Sequence, residues 1–177
     1  MKGFVVKDML NSFINFKGTK FLLMKSMQQW LNEYGESHQD ETNKTIHWIC
    51  VPIIFFSLTG LLFSIKLPFA IAGYPANVAL IMMTLTVIYY ISLSRTLWIG
   101  LFLFALVCLC ICWLIERSGI VPLWILCAIL FVGAWIGQFY GHNVEGKKPS
   151  FLKDLQFLLI GPAWLMSFIY KKLGIGI

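Results

Sequence analysis

The sequence predicts an all-α integral membrane protein: a four-helix transmembrane bundle, preceded by an amphipathic helix and followed by an interfacial or re-entrant helix. Three observations predict this fold. Of the 177 residues, 59% are hydrophobic and 12% are charged, about half the charged share of a soluble domain. The apolar residues gather in four long uncharged runs. The cationic residues that give the net charge of +6 mostly flank those runs.

The chain length fits a single domain, 1–177. A chain this short has too little interior to hide so many apolar side chains from water, so the lipid bilayer is the expected solvent. Charges that flank apolar segments do not form the basic stripe of a nucleic-acid-binding protein. Anionic lipid headgroups are the simpler partner.

The first predicted element is residues 20–34, "KFLLMKSMQQWLNEY". Its apolar positions follow helical spacing: Leu23, Met27, Trp30, Leu31 and Tyr34. This pattern predicts an amphipathic helix lying on the membrane or on the bundle. Gly35 is a suitable residue to end it.

Four uncharged runs then follow, each about as long as the 20 residues or so that a helix needs to cross a bilayer. The predicted transmembrane helices are 48–65, 76–93, 97–115 and 120–140. The short connectors 94–96 and 116–119 predict tight helical hairpins. The longer connector 66–75 contains two prolines and is predicted to lie in the membrane interface.

The last apolar segment, 151–170, contains Lys153, Asp154 and a Gly161-Pro162 pair that predicts a break. Its uncharged part is only about 16 residues, which is short for a span. An interfacial or re-entrant helix is therefore expected instead of a fifth crossing.

With four spans, both termini lie on one side of the membrane. Twelve of the fourteen Lys and Arg residues share that side, and only Lys66 and Arg117 face the other way. The positive-inside rule makes the common side cytosolic. The sequence thus predicts cytosolic termini in an inner (cytoplasmic) membrane or in the endoplasmic reticulum.

This topology places all three histidines at one membrane face. His38 and His47 precede or open the first span, and His142 follows the fourth. Nine residues separate the first two, which would point to opposite sides of a straight helix. They converge only if "SHQDETN" forms a turn, with Thr42 or Asn43 as the candidate N-cap of the first span.

Two polar residues stand beside these histidines at helical spacing. Asn43 is four residues before His47, and Glu145 is three residues after His142. Imidazoles with a carboxylate suit a first-row metal, and Fe(II) is a good candidate where positions stay open for oxygen and substrate. Zn(II) would also accept three histidines and a water.

Lys147 and Lys148 follow His142 closely. The common role of such a pair at a membrane face is to anchor lipid headgroups. The alternative is that one of them receives the anionic head of a substrate.

Two stretches, "YGESHQDETNKTIHWICVP" and "GHNVEGKKPSFLKDLQFLLIGPAWL", resemble the membrane 2-hydroxy fatty acid dioxygenases, which act in phytosphingosine breakdown. The resemblance covers roughly residues 20 to 172. Its motifs are Tyr-Gly-x-x-His, then Asn-x-x-x-His with a nearby proline, then Gly-His with a following glutamate and proline.

The resemblance implies an Fe(II)-dependent dioxygenase that uses molecular oxygen to shorten a long-chain 2-hydroxy fatty acid by one carbon (alpha-oxidation), without oxoglutarate. The histidines of the family correspond to His38, His47 and His142. In the commoner family pattern a glutamate follows the Gly-His histidine by four residues, whereas Glu145 follows by three. Glu145 is therefore a better candidate for a partner of a ligand than for a ligand.

Two other functions fit the residues. A zinc-dependent membrane lipid hydrolase would use a metal-bound water to attack amides or esters at neutral pH. A non-catalytic small membrane protein, such as a scaffold or a transport subunit, would need no metal. A transport subunit would be expected to hold charged groups in mid-span, and the four runs contain none.

Overall fold

The computed structural model describes residues 25–71, 73–146 and 157–177, and these are mostly helical. The described residues form six helices and one two-stranded hairpin. The elements are α1 (Met27–Gly35), α2 (Glu41–Ser64), β1 (Lys66–Ile71), β2 (Tyr74–Asn77), α3 (Val78–Leu93), α4 (Leu97–Ser118), α5 (Leu123–Val144) and α6 (Ile160–Lys172).

Helix α1 is the described part of the predicted amphipathic helix, and residues 20–24 lie outside the described ranges. It begins with a capping box, in which the Ser26 side chain accepts from the Gln29 amide and the Gln29 side chain accepts from the Ser26 amide. It ends at Gly35 as predicted. Its buried face is formed by Met27, Leu31 and Tyr34, and α1 packs against α6.

Three described helices, α2, α4 and α5, are long and apolar enough to cross a membrane, and they correspond to three of the four predicted spans. The fourth, α3, has 16 residues and a length of about 24 Å, against a hydrocarbon core of about 30 Å. It is shorter than predicted because Ala76 and Asn77 belong to β2. The Asn77 side chain caps α3 by accepting from the Leu80 amide at 3.2 Å.

Helix α2 packs mainly along α5, and glycines allow the two backbones to come close. A Cβ at Gly60 of α2 would lie within 3.0 Å of Cys127. A Cβ at Gly137 of α5 would also lie within 3.0 Å of Cys50. The same holds at Gly141, near the end of α5. Small residues at such contacts are typical of helix pairs in membranes.

The connector 66–75, predicted only as an interfacial segment, forms most of an antiparallel β-hairpin. Gly73 in its turn has a φ of +82°, which favours glycine. Pro68 and Pro75 are tolerated because each strand of a two-stranded hairpin has an unpaired edge. An ion pair of 2.7 Å between Lys66 and Glu116 ties the hairpin to the end of α4.

Helix α6 contains Gly161-Pro162 in its first turn, where proline is tolerated, so the predicted break does not interrupt this helix. Residues 151–156, upstream of it, lie outside the described ranges. The helix has 13 residues, well short of a span. Its Tyr170 hydroxyl donates to the Thr96 carbonyl at 3.2 Å and accepts from the Gly100 amide at 3.0 Å. Helix α6 therefore packs against the N-terminal end of α4.

Candidate metal centre

The polar turn between α1 and α2 reverses the local chain direction. After α1, the His38 amide donates to the Gly35 carbonyl at 3.0 Å. The Asp40 carboxylate then caps α2 by accepting from the amides of Thr42 at 2.8 Å and Asn43 at 3.0 Å. The prediction of Thr42 or Asn43 as the N-cap is therefore wrong: the helix starts earlier, since Asp40 satisfies two of its first amides.

The structure brings together the three histidines that the sequence singled out. One ligand atom from each of His38, His47 and His142 lies within 4.8 Å of the other two, and all three side chains are buried. The ring centroids are 4.2 Å apart for His38 and His47, and 4.9 Å apart for His47 and His142. The turn supplies the first histidine, the start of α2 the second, and the end of α5 the third.

Backbone carbonyls orient two of these rings. Nδ1 of His38 donates to the Tyr34 carbonyl at 2.6 Å, and Nδ1 of His47 donates to the Asn43 carbonyl at 2.9 Å. A neutral imidazole that donates through Nδ1 keeps a lone pair on Nε2. Nε2 of His47 is buried and has no hydrogen-bond partner among the described residues. This arrangement fits a metal ligand, whose other nitrogen is usually held by such a bond.

Two aromatic rings pack against the imidazole of His38. The Tyr34 ring stacks on it at 4.2 Å with an interplanar angle of 9°, and the Trp164 ring lies 5.3 Å away. The sequence placed Tyr34 on an apolar helix face and gave no site role to Trp164. The available signal for Tyr34 was its position four residues before His38.

Glu145 joins the end of α5 to the histidine-bearing turn. Its carboxylate accepts from the Gln39 amide at 2.8 Å and from the side-chain amide of Asn43. The same Asn43 amide donates to the Ser37 carbonyl at 3.2 Å. The candidate ligand group found within the described ranges consists of the three histidines, and the contacts of Glu145 are those of a residue that positions the turn.

A narrow internal cavity, here called the inner cavity, adjoins the cluster at His142. Its volume is about 20 Å³, room for about one water. Its lining is Tyr34, Val51, Ile54, Trp135, Gln138, His142, Phe157, Leu158 and Gly161. Sequence analysis missed Gln138, which is only 7% exposed. The available signal was an amide inside an apolar run, four residues before His142.

Comparison with known protein families identifies the chain. The model of the family described as "2-hydroxy-palmitic acid dioxygenase Mpo1-like" matches residues 24–173. The chain belongs to this family. The match confirms the family predicted from the two sequence stretches, and it includes all three histidines. No curated protein matches the chain, and no solved structure matches it.

At His38, the cluster of this Mpo1-like protein also borders a larger open cleft, here called the outer cleft. The cleft has a volume of about 410 Å³ and is lined by His38, Lys44 and Trp164 among others. Lys44 forms an ion pair with Glu41 at 2.9 Å. Lys147 and Lys148, the predicted carboxylate-binding candidates, lie outside the described residues.

The residue types of this Mpo1-like site indicate which metals it can bind. Three imidazoles suit first-row divalent metals such as iron, copper, nickel and zinc. The buried Nε2 of His47 and the carbonyl-held rings give a preformed ligand arrangement. The residues therefore fit a bound metal ion at the centre of the cluster.

Proposed function

We propose that this Mpo1-like protein is an Fe(II)-dependent dioxygenase that shortens long-chain 2-hydroxy fatty acids by one carbon. The observation that carries the proposal is the buried cluster of His38, His47 and His142, in a chain whose family is described as a 2-hydroxy-palmitic acid dioxygenase. The family match favours the oxygenase over a zinc-dependent lipid hydrolase or a non-catalytic scaffold.

The overall reaction balances with dioxygen as the only cosubstrate. A 2-hydroxy acid and one dioxygen give the acid one carbon shorter, carbon dioxide and water. The two carbons of the substrate head lose four electrons in total, and one dioxygen accepts four. Oxoglutarate is therefore not required, in line with the family chemistry.

The three histidines would hold the metal. An Fe(II) ion bound there would supply open coordination positions for oxygen and for the hydroxyl and carboxylate oxygens of the substrate. The carbonyls of Tyr34 and Asn43 accept from Nδ1 of two imidazoles and so orient their Nε2 atoms as possible metal ligands. The inner cavity has room for only about one water, which limits the water that can reach His142 from this direction.

The outer cleft is the proposed route for the substrate head, because it opens beside His38 and contains the cation Lys44. Lys147 and Lys148 remain proposed contacts for the substrate carboxylate, since they follow α5 a few residues after His142. A cationic side chain near the cleft would draw a carboxylate to the cluster.

The proposed orientation places the cluster and both termini in the cytosol, in an inner membrane or in the endoplasmic reticulum. Helices α2, α4 and α5 cross the bilayer, and α3 is proposed as the fourth, shorter span. Helices α1 and α6 lie in the interface at the cluster end. The charge distribution supports this orientation, because twelve of fourteen Lys and Arg residues fall on one side.

The test is mass spectrometry of lipid products after purified protein has been incubated with Fe(II), oxygen and 2-hydroxypalmitic acid. The expected product is the acid one carbon shorter, with one carbon dioxide released per oxygen consumed. Palmitic acid should be a poor substrate, because it lacks the hydroxyl that a site built to bind it would use. Equal turnover without oxygen, or in His142→Ala, would overturn the proposal.

A further inference from the structure

A second, larger cavity lies beyond the inner cavity, between α2 and α3. This distal cavity has a volume of about 240 Å³ and a largely apolar lining. It is lined by Phe55, Leu58, Leu62, Met82, Met83, Thr86, Leu158 and Leu159. Leu158 also lines the inner cavity, so this one side chain borders both spaces.

One face of α2 runs from the metal cluster to the distal cavity. His47, Val51, Ile54, Leu58 and Leu62 are spaced three or four residues apart and so lie along one stripe of the helix. Val51 and Ile54 line the inner cavity, and Leu58 and Leu62 line the distal cavity. From His47 to Leu62 the helix rises by about 22 Å, a distance that suits an extended long acyl chain.

The turn that bears Leu158 is held on both sides. Phe157 packs edge-on against Tyr34, with ring centroids 5.3 Å apart. The Leu159 carbonyl accepts a hydrogen bond of 2.5 Å from the Tyr90 hydroxyl of α3. The backbone around Leu158 is therefore held in place, and the Leu158 side chain forms part of the wall between the two cavities.

We propose that the distal cavity, reached past Leu158, is the subsite for the acyl tail of the substrate and sets the preferred chain length. This inference rests on the proposed function and deepens it. The apolar lining excludes a charged ligand, and the stripe of α2 that joins His47 to this cavity favours the tail of a ligand whose head lies at the histidines. Each methylene buried there should tighten binding about fourfold.

The experiment uses two photoreactive 2-hydroxypalmitic acids with the full-length protein in nanodiscs, without oxygen so that no turnover occurs. One probe has a diazirine near the head, and the other has it near the terminal methyl. We expect the first to label α2 near Val51 and Ile54, and the second to label Leu58, Leu62 or Met83. Unlabelled 2-hydroxypalmitic acid should compete with both probes.

Labelling by the tail probe that is spread over the outward-facing residues of α3, such as Ile81, and is not competed would overturn the proposal. That result would mean that bulk bilayer lipid, and not the substrate tail, occupies the space. Identical labelled positions for the two probes would also overturn it, because an extended tail along α2 requires a shift of position.

A pair of variants on one helix gives an independent test. Met83→Trp should fill the distal cavity and weaken binding of 2-hydroxypalmitic acid about tenfold or more, while binding of 2-hydroxyoctanoic acid stays within about twofold. Ile81→Trp is the matched control, since Ile81 is 48% exposed on the same helix and does not line the cavity. If Met83→Trp fails to fold, Leu62→Trp tests the far end of the same cavity from α2.

The two proposals fail in different ways. Wild-type turnover with unchanged chain-length preference in Met83→Trp and Leu62→Trp would overturn the tail subsite and leave the dioxygenase standing. Competed, position-dependent labelling without any oxygen-dependent turnover would support the subsite and overturn the dioxygenase.

Discussion

Asn43 of α2 and Gly141 of α5 face each other so closely that a Cβ at position 141 would lie within 3.0 Å of the Asn43 side-chain oxygen. Asn43 is fully buried, its side chain bonds to Glu145, and its carbonyl orients His47. The closest part of the helix interface is therefore also the support of a candidate metal ligand.

This contact predicts that Gly141→Ala lowers both metal occupancy and thermal stability. The added methyl must displace Asn43, and such overpacking typically costs about 1–3 kcal/mol. Gly133→Ala on the same helix is the control, because its Cβ would meet nothing within 4 Å. Metal content and melting temperature are measured for both, and equal behaviour of the two variants would contradict the role of the close contact.

Replacement of His38, His47 or His142 by alanine should each remove most of the bound metal, because the three ligands act as one site. Metal analysis of protein purified without chelator and under low oxygen gives the stoichiometry. Thr45→Ala, an exposed position of α2, is the control. Full occupancy in any one histidine variant would exclude that residue as a ligand, and zinc in place of iron in the wild type would favour the hydrolase.

Glu145→Gln should reduce metal affinity or activity about 10- to 100-fold, the usual effect of losing a group that orients a ligand. The carboxylate accepts from both Gln39 and Asn43, and in glutamine one of its two oxygens becomes a donor that faces another donor. Glu116→Gln, in the distant pair with Lys66, should leave metal affinity unchanged. Unchanged metal affinity and activity in Glu145→Gln would show that the turn keeps its position without this contact.

Membrane orientation is tested with single cysteines in a background from which the five native cysteines have been removed. Cysteines at Glu36 and Lys172 should react alike with an impermeant thiol reagent from the cytosolic side. A cysteine at Ser118, at the end of α4, should react only from the opposite side. All three positions are exposed, and labelling of Glu36 and Lys172 from different sides would refute the proposed topology.

The long helices and the meeting of the histidines were predictable because both depend on coarse features of the chain. Uncharged runs of span length fix α2, α4 and α5 approximately. The sequence argument counted four crossings, which would return the chain to its starting side, and it therefore expected His142 near the end of α5 to lie close to His38 and His47 near the start of α2. That argument required no side-chain detail.

The N-cap of α2 and the start of α3 depend on tertiary contacts and were not predictable in the same way. Asp40, Thr42 and Asn43 are all good N-cap residues, and Asn43 is unsuitable here because its side chain is bonded to Glu145 of α5. The start of α3 was misplaced because Asn77, uncharged and so counted in the apolar run, instead ends β2 and caps the helix. Apolar content alone does not distinguish these roles.

The histidines are far apart along the chain, near the start of α2 and near the end of α5, and this affects the order in which the site is synthesised. His38 and His47 leave the ribosome early, whereas His142 follows about a hundred residues later. During membrane insertion the nascent chain therefore has only two of the three ligands until α5 has been synthesised. In the proposed enzyme, the full three-histidine site therefore forms only after α5 has been synthesised.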